Sequence, residues 1–297
     1  MYMKKTIFTG AGVAIVTPMK EDGSVDYEVL AKLVEDQITG GTDAIIACGT
    51  TGESATLSHE EHVRVMDFII RRVNGRVPVV AGTGSNDTAY ALELSLEAQK
   101  AGADGLLMVT PYYNKTSQAG LIRHFTYVAD RVELPIILYN VPSRTGCNIK
   151  PETFLALSKH PNIVAVKEAA GDIAAVADIA ALCGDELAVY SGNDDQILPI
   201  LALGGKGVIS VLSNILPRET HEICATFFRG DLEASRRMQL RYMELIHALF
   251  SDVNPIPVKE AMNQMGMNAG PCRLPLVEMS DSGKAHITAV LKKYGLI

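Results

Sequence analysis

The chain is poor in cysteine, in basic charge and in long apolar runs, and each shortage removes a class of function. Five cysteines, Cys48, Cys147, Cys183, Cys224 and Cys272, are scattered through 297 residues, form no C-x-x-C pair and leave one over in any pairing. That pattern fits reduced thiols in a cytoplasm rather than a disulfide-stapled secreted domain. The formal charge is −7 and no basic stripe is present, so neither nucleic acid nor an anionic membrane is expected as the main partner. No stretch approaches the ~18 uninterrupted apolar residues of a membrane span. The start, Met1 to Thr17, places Lys4 and Lys5 before an apolar stretch as a secretory signal does. Thr9, Gly10 and Gly12 interrupt it and no small-x-small cleavage site follows, so it reads as a first strand. Low-complexity segments and long linkers are missing too. With 47% apolar and 21% charged residues, the composition is that of a folded protein, long enough for two domains or one large one.

What is present is a repeat of short Val/Ile/Leu-rich runs, beginning near Gly12, Ala44, Val77, Gly105, Pro135, Ile163, Leu187 and Gly207. Runs of this kind without alternation are strands buried on both faces. Capped helical patterns lie between them: Asp26 before Val29, Leu30 and Leu33; Ser58 with Glu61 as a capping box; Asn86 or Asp87 before Leu92 and Leu96. The strand starts are roughly 20 to 33 residues apart, one strand plus helix plus two loops, and eight such units predict a closed (β/α)₈ TIM barrel. A doubly wound sheet is the competing layout, but Thr17-Pro18 stands where its glycine fingerprint belongs. From about Leu216 onward the strand signal stops. Met238, Tyr242, Leu245 and Leu249 keep a helical spacing, with breaks at Asn254-Pro255 and Gly270-Pro271. The expected division is a barrel over 1–229 and an all-helical extension over 230–297, an element suited to oligomer contacts.

In such a barrel the reacting groups sit at the carboxyl ends of the strands, and that rule filters the candidates. Among the lysines only Lys167 closes an apolar strand, Ile163-Val164-Ala165-Val166-Lys167, on the same face as the small Ala165. Desolvation there favours the neutral amine that attacks carbonyls; pairing with Glu168 is the competing reading. Tyr139 ends the preceding strand and either shuttles protons for such chemistry or plugs the barrel mouth. Gly49-Thr50-Thr51-Gly52-Glu53-Ser54 offers hydroxyls and backbone N–H groups to a small carboxylate, or is only a tight turn. Arg144, after strand five, either holds a second carboxylate through its fork or is a solvated rim residue. The adjacent Tyr112-Tyr113 in a polar loop point to an interface or a shared site. All seven histidines fall in helical segments or their ends. His59-Glu60-Glu61-His62 is not H-E-x-x-H, so metal-dependent chemistry is disfavoured and no metal is expected. Asn193-Asp194-Asp195 occupies the loop where a barrel's phosphate site wants glycines and donors.

The motifs G-T-T-G-E-S at 49–54, Y-N-V-P-S-R-T-G at 139–146 and V-A-V-K-E-A at 164–169 resemble those of the pyruvate-dependent class I aldolase/lyase superfamily. With T-P-Y-Y-N at 110–114, Arg144 and N-P-I-P-V-K at 254–259, the chain is similar to the dihydrodipicolinate synthase family within it, from about Gly12 to the C-terminus. The resemblance implies a Schiff base between pyruvate and Lys167. It further implies a proton relay of Tyr139, Thr50 and Tyr113, the last reaching across a dimer interface. Thr51 and the backbone of Ile209 are implied to bind pyruvate, and Arg144 the carboxylate of aspartate semialdehyde. The implied product is 4-hydroxy-tetrahydrodipicolinate, for lysine and diaminopimelate biosynthesis, made without a cofactor by a tetramer built as a dimer of dimers. Ser54, Ala55, His59, His62, Asn86 and Tyr112 match an effector pocket of lysine-inhibited members. Tyr90 stands where those have a glutamate, which puts feedback inhibition in doubt. Two other readings remain: a lyase of N-acetylneuraminate or a 2-keto-3-deoxy sugar acid, in which hydroxyl-binding groups replace Arg144, and a noncatalytic ligand-binding barrel.

Overall fold

The eight apolar runs form eight parallel strands in a computed structural model that describes Lys4 and residues 6–297. The part of the signal-like start on Met1–Met3 and Lys5 lies outside the described residues. The strands are β1 (Gly10–Ala14), β2 (Ala44–Ala47), β3 (Val79–Gly82), β4 (Gly105–Val109), β5 (Ile136–Asn140), β6 (Ile163–Glu168), β7 (Ala188–Ser191) and β8 (Gly207–Ser210). They pair in chain order and close into a barrel, β8 returning to β1 with Gly12 opposite Ile209. Closure requires glycine at the seam: Gly207 has φ +152°, and a Cβ there would stand 1.8 Å from the Gly10 carbonyl oxygen.

Because side chains alternate across each strand, one set fills the barrel and the other packs on the surrounding helices. Ala14, Ile46, Val80, Leu107, Ile137, Ala165, Tyr190 and Ile209 form the inner cluster. Tyr190 stacks on Phe8 with ring centroids 4.4 Å apart and donates its hydroxyl to the Phe8 carbonyl at 2.5 Å. Phe8 precedes β1, so this pair closes the end of the barrel opposite the strand C-termini.

The helix caps read from the sequence form. Asp26 accepts from Glu28 and Val29 N–H before the helix Tyr27–Thr39, and both halves of the Ser58/Glu61 capping box are made before His59–Val73. Asp87, not Asn86, caps Thr88–Ala101. Each cap satisfies an otherwise orphaned N–H, worth about 1 kcal/mol.

After Phe228 the only regular elements among the described residues are helices, Leu232–Arg241, Met243–Leu249, Ile256–Gln264 and Asp281–Lys293, with irregular chain over 265–280. The Met238-to-Leu249 periodicity spans two helices rather than one. The break is at Tyr242 (φ −95°, ψ 4°), whose ring stacks at 5.9 Å on that of Tyr294, the C-cap of the last helix. A single near-helical residue preserves the side-chain phase, which is why the break leaves no mark in the spacing. Among the described residues no helix is long and apolar enough to cross a membrane.

Candidate active site

Lys167, the penultimate residue of β6, points into the barrel above Ala165, and only 5% of it is exposed. Its strand partner in β5 is Tyr139, and the ammonium lies 4.4 Å from the Tyr139 ring centroid. The competing pairing with Glu168 is not made. Alternation turns Glu168 to the other face, where its oxygens accept from Asn140 Nδ2 at 2.9 and 3.2 Å and from Ala170 N–H at 2.7 Å. Burial lowers the Lys167 pKa from its ordinary 10.5 to about 8; Arg144 adds to the lowering, and the buried Asp194 carboxylate opposes it. An amine in that range is substantially neutral just above neutral pH, the state needed for addition to a carbonyl.

Room for the lysine depends on Gly192, just past β7. A Cβ at this position would lie 3.2 Å from Lys167 Cε and 2.6 Å from Ala169 Cβ. Gly192→Ala is therefore expected to displace the amine and lower kcat by roughly tenfold to a hundredfold, since misplacement of about 1 Å has that effect on reacting groups. Steady-state kinetics beside an unchanged circular dichroism spectrum checks it.

Tyr139 is buried, and burial raises its phenol pKa, while the Arg144 charge and a hydrogen bond with the Thr50 side chain pull the other way. Lysine, phenol and threonine hydroxyl thus form one group at the barrel mouth. Thr50 belongs to the loop after β2, which is wound tightly: Gly52 N–H and Glu53 N–H donate to the carbonyls of Gly49 and Thr50, both at 3.0 Å. Cys48 and Glu53 take positive φ of 52° and 54°. Such conformations in non-glycine residues persist only where neighbours over-determine them.

Those neighbours come from the far end of the chain. The Glu53 carboxylate is 1% exposed and pairs at 2.7 Å with Lys259 Nζ, itself 2% exposed. Lys259 also donates to the carbonyls of Thr17 at 3.1 Å and Pro271 at 2.6 Å, so all three ammonium protons are used. The second Glu53 oxygen accepts from Arg273 N–H at 2.9 Å. Thr51, also buried, accepts from Asn254 Nδ2 at 3.0 Å.

Arg144 sits in the one-turn helix Pro142–Thr145, exposed, with Nη2 donating to the Asn254 carbonyl at 3.3 Å. The rest of its fork is open to a cavity of about 410 Å³ lined also by Thr50, Val141 and Asn254. Ile209 lies within the inner cluster on β8, beside β1. Tyr113 is not brought to this group: it is 91% exposed, with φ 71°.

Comparison with known proteins decides the family. The sequence model of the dihydrodipicolinate synthetase family matches residues 7–294. The chain belongs to that family. It is 57% identical to the 4-hydroxy-tetrahydrodipicolinate synthase of Thermoanaerobacter sp. (strain X514) over 98% of both chains. To the enzyme of the same name from Lachnoclostridium phytofermentans it is 58% identical, over 98% of this chain and 99% of the relative. Among solved structures, dihydrodipicolinate synthase from Aquifex aeolicus superposes with a TM-score of 0.95 at 46% identity, covering 97% of this chain and 99% of that one. The Thermotoga maritima enzyme gives 0.96 at 43%, covering 98% and 100%.

The residues expected to form an effector pocket do not all gather in one place. Ser54, Ala55, His62, Tyr90 and Tyr112 line the same 410 Å³ cavity as Arg144. His59 stands against Tyr90 with ring centroids 5.8 Å apart, while Asn86 lies on a neighbouring groove, its carbonyl accepting from Asn114 Nδ2 at 2.9 Å. His62 Nε2 donates to the Gly82 carbonyl at 2.8 Å, and burial lowers its pKa. A neutral His62 bonded to a carbonyl donates to it.

Sequence reasoning missed Glu53, Lys259, Asn254, Gly192 and Asp194 as contributors. Asp194, which the sequence marks only as unsuited to phosphate, caps the turn after β8, accepting from Val211 and Leu212 N–H, both at 2.9 Å. The only available signals were the N-P-I-P-V-K and G-T-T-G-E-S motifs, which contain three of the five.

Proposed function

We propose that the chain condenses pyruvate with L-aspartate 4-semialdehyde to give 4-hydroxy-tetrahydrodipicolinate, through an imine on Lys167. The observation that carries the reading is the buried amine with its lowered pKa, set against the phenol of Tyr139 at the mouth of an apolar barrel. The neutral amine adds to the keto carbon of pyruvate, and the carbinolamine loses water to form the imine. Loss of a methyl proton gives the enamine, because the iminium accepts the electron pair; no cofactor is needed as electron sink. The enamine carbon bonds to the aldehyde carbon, whose oxygen takes a proton. The substrate's amino group then adds to the imine carbon, closes the ring and releases Lys167. Tyr139 and Thr50 relay the protons, with Tyr113 of a second subunit completing the chain. Thr51 and the backbone of Ile209 hold the pyruvate carboxylate, and Arg144 holds that of the semialdehyde.

Several observations support these assignments. The Thr50 side chain is near enough to the phenol to pull its pKa down against burial, and the fork of Arg144 opens on the cavity. The exposed Tyr113, held at positive φ, suits a residue that a second subunit covers. A homotetramer in the cytoplasm, with the barrel over 1–229 and the helical extension over 230–297, completes the proposal. In the cavity, Tyr90 offers a phenol where lysine-inhibited members have a carboxylate. Losing a hydrogen bond to a charged amine costs about 1.5–3 kcal/mol, so lysine is proposed to inhibit weakly.

Tyr139→Phe keeps the ring over the amine and removes only the proton carrier. It is expected to lower kcat by roughly 10² to 10⁴, with imine formation slowed in rapid-mixing experiments. The function itself is tested by turnover of pyruvate with aspartate semialdehyde beside cleavage of N-acetylneuraminate and 2-keto-3-deoxygluconate. Turnover of the first pair alone is expected; cleavage of a sugar acid in its place would move the assignment.

A further inference from the structure

Asn254 touches both halves of the proposed substrate site, although it lies outside the barrel sequence. Its side-chain Nδ2 donates to Thr51 Oγ1 at 3.0 Å, and its backbone carbonyl accepts from Arg144 Nη2 at 3.3 Å. The residue is buried, and among the described residues its amide oxygen has no partner. The bond to Thr51 is therefore the only hydrogen bond that its side chain makes there, and the amide orientation is tied to that hydroxyl alone.

A threonine hydroxyl carries one proton and two lone pairs. When a lone pair is occupied by an amide N–H, the hydroxyl proton is left to point elsewhere, and the group acts as a donor to whatever lies before it. Thr51 is proposed above to face the carboxylate of pyruvate, an acceptor only. An amide donor behind it fixes the polarity that this carboxylate needs and strengthens the donated bond by polarisation. The same residue's carbonyl holds one nitrogen of Arg144 and leaves the rest of the fork for the second carboxylate.

We infer that Asn254 is a positioning residue. Its amide sets Thr51 as a hydrogen-bond donor to the keto acid, and its backbone carries Arg144 to the aldehyde acid. The inference rests on the proposed roles of Thr51 and Arg144, and deepens them by making the helical extension part of the substrate site.

The test is a double-mutant cycle on the full-length enzyme with Asn254→Ala, Thr51→Val and the pair, reading KM for pyruvate and kcat separately. Half-saturation of borohydride-trapped adduct by pyruvate gives a second readout that needs no turnover. Asn254→Ala is expected to raise KM for pyruvate by roughly three- to tenfold, the value of one hydrogen bond, with kcat within about twofold. In the Thr51→Val background it is expected to add nothing. Asn254→Asp is isosteric and reverses the polarity, accepting the Thr51 proton, so its effect on pyruvate KM is expected to exceed that of alanine. Additive effects in the cycle, or an aspartate variant at least as good as the alanine one, would overturn the inference and leave Asn254 a spacer. These outcomes are separable from failure of the functional reading, which would appear as no pyruvate adduct on wild-type Lys167.

Discussion

Lys167→Met is expected to abolish turnover while making the fold more stable. Methionine nearly matches the volume of lysine but has no amine, so no imine forms and kcat falls by roughly a thousandfold or more. The stability change follows from the displaced pKa. With the ordinary value of 10.5 lowered to about 8 in the fold, carrying the charged amine below pH 8 costs about 3 kcal/mol. Between pH 8 and 10.5 the unfolded chain binds more protons at this site than the folded one. Stability of the wild type therefore rises with pH across that window. Methionine removes the penalty at low pH and the slope with it. Unfolding midpoints of the two proteins are thus expected to differ most below pH 8 and to converge toward pH 10.5. A gap independent of pH would contradict the assignment. Such an exchange of stability for a reactive group is common at catalytic positions.

Lys259→Met is expected to have the opposite sign. Removing the cation leaves the Glu53 carboxylate, 1% exposed, without its counter-ion, and breaking one side of a buried pair costs about 3–5 kcal/mol. The damage is directional. Glu53 closes the loop that carries Thr50 and Thr51, and Lys259 joins that loop to the backbone at Thr17 and Pro271. Loosening it is expected to raise KM for pyruvate as well as lower the denaturation midpoint. Adding Glu53→Gln removes the stranded charge, so the double variant is expected to regain part of the lost stability while KM stays high. A single variant within about 0.5 kcal/mol of wild type, the range of surface substitutions, would mean that the pair is not a brace.

The barrel was legible because each of its strands is buried on both faces and therefore writes an apolar run into the chain, and because Asp26, Ser58 and Glu61 carry cap chemistry within one turn of the helix starts they cap. Lys167 and Tyr139 were legible for a related reason. A polar residue ending an apolar strand is conspicuous, and the period of two assigns its face. What periodicity does not carry is the partner of a side chain more than two hundred residues away. Glu53 stands in G-T-T-G-E-S and Lys259 in N-P-I-P-V-K with nothing in either motif to join them until the fold buries them together. Asn254 looked like a helix breaker beside a proline, which it is, while its amide reaches Thr51. Gly192 gave no signal because its φ is unexceptional; the close approach of Lys167 Cε that excludes a side chain exists only in three dimensions. The kink at Tyr242 preserved the helical phase and so was invisible. Tyr113 is the converse case, since the sequence marked a residue that one chain leaves in solvent.

The central claim is that one buried amine forms the covalent bond to pyruvate. Incubation of the protein with pyruvate and borohydride, followed by peptide mass analysis, tests it directly. The expected result is a single reduced adduct on the peptide containing Lys167, absent without pyruvate and absent from Lys167→Met. An adduct on another lysine, or turnover with no adduct, would contradict the account.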